Sequence, residues 1–291
     1  MFLHSIWFRF LARALPVYAS HVLARRFVTP PASRPALSSE AKELLEQAEC
    51  GAVDGVDGKV RYYRWRQGGP RLMLVHGWGK KALDMAPLLT GLLARGYDVT
   101  VADMPAHGSS EGRTASFREW IIALRLISRS AGRWNCVIGH GYGAFAAAMA
   151  IREDLPQYGA ALNTHRLVLL ACPDRASDML GELASSLHAP AETVVRAEAL
   201  LGQRLRMAIG HFSASRAVRH FKGQLMGVHD AEDTRVPLAD FAAIQAGQPL
   251  AERLLTTGLG HHGLVSDPQV IESIIDFMEV GQRILVASPY R

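Results

Sequence analysis

The chain reads as an α/β protein built on a doubly wound, mostly parallel sheet. Three observations predict this. Short uninterrupted apolar runs recur along the sequence, as buried parallel strands require. Segments of helical periodicity separate them. Each polar, glycine-containing motif directly follows one of those runs, where the carboxyl ends of parallel strands gather on one rim.

The 291 residues are 49% hydrophobic and 20% charged, an ordinary globular composition that can bury a sizeable core. No apolar run reaches the roughly 18 residues of a membrane-spanning helix. The net charge of +5 is accounted for by Arg9, Arg13, Arg25, Arg26 and Arg34, since residues 1–39 carry no acid. The body is therefore balanced, and a nucleic-acid partner is not expected. Cys50, Cys136 and Cys172 form no C-x-x-C pair. Neither a zinc nor a redox motif is indicated, no metal or other cofactor is expected, and the odd count fits a reducing cytoplasm.

The N-terminal segment, residues 1–57, opens with Leu3, Ile6, Trp7, Phe10, Leu11, Ala14 and Leu15 at helical spacing. His4, Ser5, Arg9 and Arg13 fall opposite, and the helix ends before Pro16. The apolar face is expected to pack on the protein's own body or on a partner subunit. Contact with a membrane surface through residues 2–15 is less favoured. A secretory signal is least so, because Arg9 and Arg13 interrupt the apolar stretch. A second helix over 17–28, a Pro/Ser-rich linker over 29–39 and a helix near 39–48 follow.

Lys59 to Arg66 mixes charged and aromatic residues, the pattern of an exposed antiparallel edge strand. After the Gln67–Pro70 turn come a buried strand over 72–75, a helix over 82–95, a strand over 98–102 and a helix near 116–130. A strand over 136–138 runs into a glycine-framed turn with a helix over 144–151 behind it. Further strands are expected over 167–171, 224–228 and 253–257. The last helix spans 268–280, with Asp267 as N-cap and Pro268 in its first turn. Residues 173–222 read as helical throughout, with Met179, Leu180, Leu183 and Leu187 on one face and Val194, Val195, Leu201 and Leu205 on another. This stretch is expected to be a helical lid inserted into a core formed by 58–172 and 223–291.

Four motifs lie at these strand ends: His76-Gly77-Trp78-Gly79, Gly139-His140-Gly141-Tyr142-Gly143, the acidic loop His229 to Pro237, and Gly258-Leu259-Gly260-His261. A fifth stretch, Asp103 to Gly108, follows the strand over 98–102. In this order the motifs resemble those of the α/β-hydrolase fold family, from about residue 58 to the C-terminus. The resemblance implies an esterase-like acyl-transfer site with a nucleophile at the elbow, an acid in the next loop and a histidine base after it. Here the elbow frame G-x-S-x-G carries Gly141 where the family has serine. Glycine preserves the tight turn but has nothing to attack with.

By the same resemblance, Asp233 is the orienting acid, with Asp230 its rival, and His261 is the base, with His262 as competitor, since two adjacent residues are not expected to face one site. The backbone N–H groups of Trp78 and Tyr142 are expected to form the oxyanion hole. Cys172 is expected to be a packed residue, and Ser109 and Ser110 turn residues. The expected ligand is a small apolar acyl or aromatic molecule. The expected state is impaired acyl transfer, with a non-catalytic binding protein or a His–Asp general-base enzyme as alternatives.

Overall fold

The computed structural model describes residues 2–31, 39–129 and 132–286, with side chains over 7–279. The side chains of Leu3, His4, Ser5 and Ile6, and most of the expected linker including Arg34, lie outside the described residues. The elements are α1 (Phe2–Ala14), α2 (Pro16–Phe27), α3 (Ser39–Glu46), β1 (Glu49–Asp54), β2 (Lys59–Trp65), β3 (Arg71–Val75), α4 (Ala86–Ala94), β4 (Asp98–Ala102), α5 (Phe117–Arg129) and β5 (Trp134–His140). They continue with α6 (Tyr142–Ala150), β6 (Thr164–Leu170), α7 (Ala176–Ser186), α8 (Ala191–Leu205), α9 (Ala214–Val218), β7 (Gln224–Asp230), α10 (Leu238–Gly247), β8 (Glu252–Thr256), α11 (Gly260–Gly263) and α12 (Pro268–Val286).

The sheet order is β1-β2-β4-β3-β5-β6-β7-β8. β2 runs antiparallel to both its neighbours, and every pairing from β4–β3 to β7–β8 is parallel. Helices cover both faces, so each central strand is apolar on both sides. In β3, Met73 and Val75 join the core that holds Trp120 and Phe145, while Leu72 and Leu74 join the opposite core with Leu88 and Ile274.

Lys59–Trp65 is not the edge. β1 lies outside it, and Val60, Tyr63 and Trp65 are buried. No strand is expected over Glu49–Asp54 from the sequence, because acids at both ends and a glycine near the centre interrupt any apolar pattern. Gly51 is there because Tyr62 on the facing strand lies over it: a Cβ would sit 2.3 Å from the Tyr62 ring.

The N-terminal helix also differs from its sequence reading. Phe8, Leu11 and Ala12 are buried, whereas Trp7 and Phe10 are 58% and 73% exposed and Leu15 is exposed. Residues 7–15 are apolar around most of the circumference, so packing chose a stripe rotated about one residue from the expected one. Helix α2 buries Ala19, Leu23 and Ala24 and packs on α8.

Between β6 and β7 the chain forms α7, α8 and α9. Leu180 and Leu187 are buried as expected, but Val195 is 64% exposed, and Thr193, Ala197, Leu201 and Leu205 form the inner face of α8. The root of this insertion is closed. Asp174 Oδ1 accepts from Ser213 Oγ (3.1 Å) and Ser215 N (2.7 Å), and Ala176 N donates to Phe212 O. Residues 82–95 begin as a 3₁₀ turn before α4, and α12 continues past residue 280 to Val286. Its start is capped by Asp267, whose Oδ1 accepts from Val270 N at 2.9 Å.

Helix α6, behind the elbow, consists mostly of alanine and is buried all round. Such small side chains let it seat closely against the sheet. Its carboxyl end is held by the buried Arg125, whose guanidinium donates to Ala150 O and Leu155 O. Among the described residues no helix is long and apolar enough to cross a membrane.

Candidate active site

The β3 loop is fixed first. His76 is fully buried, and its Nδ1 donates to Gly77 O (2.8 Å) while Nε2 accepts from Met104 N (3.0 Å). This single tautomer ties the loop after β3 to the loop after β4. Burial pushes the imidazole down to about 4, so it is neutral at neutral pH. His107 repeats the device, with Nε2 accepting from Gly79 N at 3.0 Å. Asp103 accepts from Ala82 N, Ser109 N and Tyr63 Oη, and the Ser110 hydroxyl donates to the Asp103 carbonyl. Ser109 and Ser110 are thus turn residues, as expected.

The elbow follows β5. Gly141 has φ 54° and ψ −121°, a conformation that costs a side-chain-bearing residue about 1–3 kcal/mol. Gly139 and Gly143 serve close approach instead. A Cβ on Gly139 would lie 2.5 Å from Ala144 Cα, and one on Gly143 would lie 2.3 Å from His76 O. A Cβ on Gly141 would point at the histidine loop, 3.2 Å from His261 Nε2. Among the described residues no protein acceptor takes the N–H of Tyr142, at the start of α6, or that of Trp78.

His261 Nδ1 lies 2.8 Å from Asp233 Oδ2. Burial raises the Asp233 pKa, but the bonds from His261, Val236 N and Arg235 N outweigh it and hold the carboxyl below its usual range. Asp233 is therefore an ionised acceptor, and His261 presents its Nε2 to Gly141. Asp230 is buried and faces elsewhere, accepting from Thr256 Oγ1, Leu259 N and Glu232 N. It shapes the two loops rather than pairing with the histidine. Cys172 is buried, and burial drives its thiol well above the usual range, the state of a packed residue.

The expectation that only one of His261 and His262 faces the site is overturned. Both line the same cleft, with ring centres 5.0 Å apart. The reason is local: α11 is a helical turn, where neighbours diverge by about 100° rather than the 180° of a strand. His140 joins them, its Nε2 donating to His261 O at 2.8 Å. Burial and then the charge of His261 push His140 down to about 3, and burial with Lys80 pushes His262 down to about 4.

The cleft measures about 290 Å³. Trp78 and Tyr142, ring centres 4.7 Å apart, form one wall, and Met179 and Leu183 of α7 another. Arg26 and Phe27 of α2 complete its mouth. The sequence gives no sign of these last two, because nothing local relates residues 26–27 to an elbow at 141.

The sequence profile of the alpha/beta hydrolase family matches residues 72–274. Among solved structures, the esterase Pf2001 of Pyrococcus furiosus is 18% identical with a TM-score of 0.62, covering 87% of this chain and 96% of its own. Esterase RhEst1 of Rhodococcus sp. is 16% identical with a TM-score of 0.58, covering 80% of this chain and 98% of its own. A thioesterase domain from the curacin biosynthetic pathway is 16% identical with a TM-score of 0.55, covering 80% of this chain and 99% of its own. At these identities the likeness concerns the fold. No curated protein matches the chain.

Proposed function

The chain belongs to the alpha/beta hydrolase family, and from that premise we propose that it is an esterase-like hydrolase whose covalent step is disabled at Gly141. One observation carries the reading: position 141 aims its missing side chain at His261 Nε2, while His261 Nδ1 pairs with Asp233 at 2.8 Å. A serine oxygen at that position would have its base and the orienting acid in place. The Tyr142 and Trp78 amides, lacking protein acceptors among the described residues, would receive the oxyanion. The motif residues His76, Gly77, Gly139, His140 and Gly143 hold these groups in position. The helices over 173–222 act as the lid, and three free thiols keep a reducing cytoplasm part of this reading.

Loss of a triad nucleophile costs on the order of 10⁶ in kcat, leaving roughly 10³ over water from the rest of the site. The surviving chemistry is general-base activation of water by His261, with slow hydrolysis of small apolar acyl substrates. Gly141→Ser tests this with aryl esters such as 4-nitrophenyl butyrate. Turnover rises by on the order of 10² or more, and the variant becomes sensitive to covalent serine-directed phosphonates. The gain falls short of the full factor because the residue is strained at this φ and His261 shifts to admit a Cβ at 3.2 Å. A folded Gly141→Ser protein with unchanged turnover defeats the proposal.

A second reading, ligand binding without turnover, is favoured by the aromatic and aliphatic cleft walls. Thermal-shift screening with acyl and aromatic compounds scores it, since native-state ligands raise Tm.

A further inference from the structure

Three imidazoles meet beside Gly141. One ring nitrogen from each of His140, His261 and His262 lies within 4.8 Å of the other two. Their ring centres stand 4.7, 5.0 and 5.9 Å apart. Imidazole nitrogens about 2.0–2.1 Å from a tetrahedral ion place their ring centres roughly 5 Å apart, so two of the three pairs have the spacing of a three-histidine site and the His140–His262 pair, at 5.9 Å, is wider. We propose that these residues bind a divalent transition-metal ion of the zinc type, its fourth position open to the cleft beside Gly141. The proposal does not rest on the esterase-like reading, because binding is measured without substrate.

Crowded histidines also pack for structural reasons, so the hydrogen bonds behind the rings matter more than their proximity. His261 uses Nδ1 on Asp233, which leaves Nε2 with its lone pair toward Gly141. His140 uses Nε2 on the His261 carbonyl, which leaves Nδ1 as its lone-pair atom. A carboxylate and a backbone carbonyl are the partners that orient metal-binding histidines. Both free nitrogens open onto glycines. A Cβ at position 77 would lie 3.0 Å from His140 Nδ1, and one at position 141 would lie 3.2 Å from His261 Nε2. Any larger residue at either place would cover a ligand atom.

Ligand nitrogens around one ion stand about 3.3 Å apart, so nitrogens now within 4.8 Å of one another must close by as much as about 1.5 Å. The exposed His262 has room to make that movement. Lys80 and Arg235 also line the cleft, and with the ion they favour an oxygen anion, hydroxide or a carboxylate, as fourth ligand.

The test uses the full chain stripped of metal with a chelator. Titration with ZnCl2 by calorimetry and with CoCl2 by visible absorption is expected to show one equivalent bound, with the intense bands of tetrahedral cobalt. His262→Ala, at an exposed position, is expected to weaken zinc binding roughly 10- to 100-fold. Gly141→Ala is expected to weaken it comparably, by placing a methyl against His261 Nε2, and far-UV circular dichroism checks that both variants fold. No saturable binding below about 1 mM overturns the proposal. So does binding that His262→Ala and Gly141→Ala both leave unchanged, because the ion then sits elsewhere. In Gly141→Ser, whose Cβ likewise stands against His261 Nε2, zinc binding is expected to weaken as in Gly141→Ala. Turnover assayed in chelator tests the hydrolase reading separately from the metal site.

Discussion

The two rims of the sheet carry hollows of opposite character. At the amino-terminal rim, around the starts of β5, β6 and β7, a hollow of about 1310 Å³ collects Arg133, Arg152, Arg166, Arg219 and Lys222. At the carboxyl rim the cleft is about 290 Å³. The larger hollow holds more charge, but its groups do not converge. Arg133, Arg219 and Lys222 are exposed, and Arg152 is engaged with Asp154 and the His211 carbonyl. In the smaller cleft, an ionised carboxylate orients an imidazole whose Nε2 faces Gly141, and the Trp78 and Tyr142 amides beside it have no protein acceptors among the described residues. Convergence, rather than volume or net charge, locates chemistry.

The sharpest way to break this contrast is kinetic. In a Gly141→Ser background, adding His261→Ala should lower kcat by on the order of 10³ or more. The next effect concerns stability at the elbow. Gly143→Ala forces a methyl against the His76 and Val75 carbonyls and should cost about 3 kcal/mol or more in urea unfolding, because backbone on both sides cannot yield.

Acid should unmake the same rim. His76 and His140 are held neutral at about 4 and about 3, below the ordinary 6.5 of an unfolded histidine. The unfolded chain therefore binds more protons as pH falls below 6.5, and stability declines progressively toward pH 4 and below. Thermal unfolding across that range should show a falling Tm. A flat profile would mean these rings are not buried neutral.

Two smaller effects complete the comparison. Gly181→Ala in α7, where a Cβ meets open space, should stabilise by about 0.5–1 kcal/mol. At the opposite rim, Arg133→Glu with Lys222→Glu should change turnover of the Gly141→Ser protein by less than about 2-fold. A larger change would make the amino-terminal hollow part of the function.

The central sheet was legible in the sequence because buried parallel strands such as Leu72–Val75 leave unbroken apolar runs, and the motifs at their ends marked one rim. β1 was not, because its pairing rests on a cross-strand contact between Gly51 and Tyr62 that no local pattern records. The buried stripe of α1 differs from the expected one because Phe8 and Ala12 lie between the expected apolar face and the arginines, so two adjoining stripes are both apolar until something packs on one of them. The Asp233–His261 pairing was readable only through the resemblance of these loops to the family's motifs in their order, and the structure pairs the two at 2.8 Å. The histidine cluster was not readable, since His140 lies 121 residues from His261 and the α11 turn turns His262 toward the same cleft.

The closed root of the helical insertion has one more consequence. Because Arg175 and Ser213 pair across it and Asp174 fastens both strands of the neck, the chain leaves and returns at nearly the same point. Helices α7 and α8 therefore behave as a cassette. A different helix pair that kept the α8 surface beneath α2 could be grafted in their place, and the mouth of the cleft would be recut.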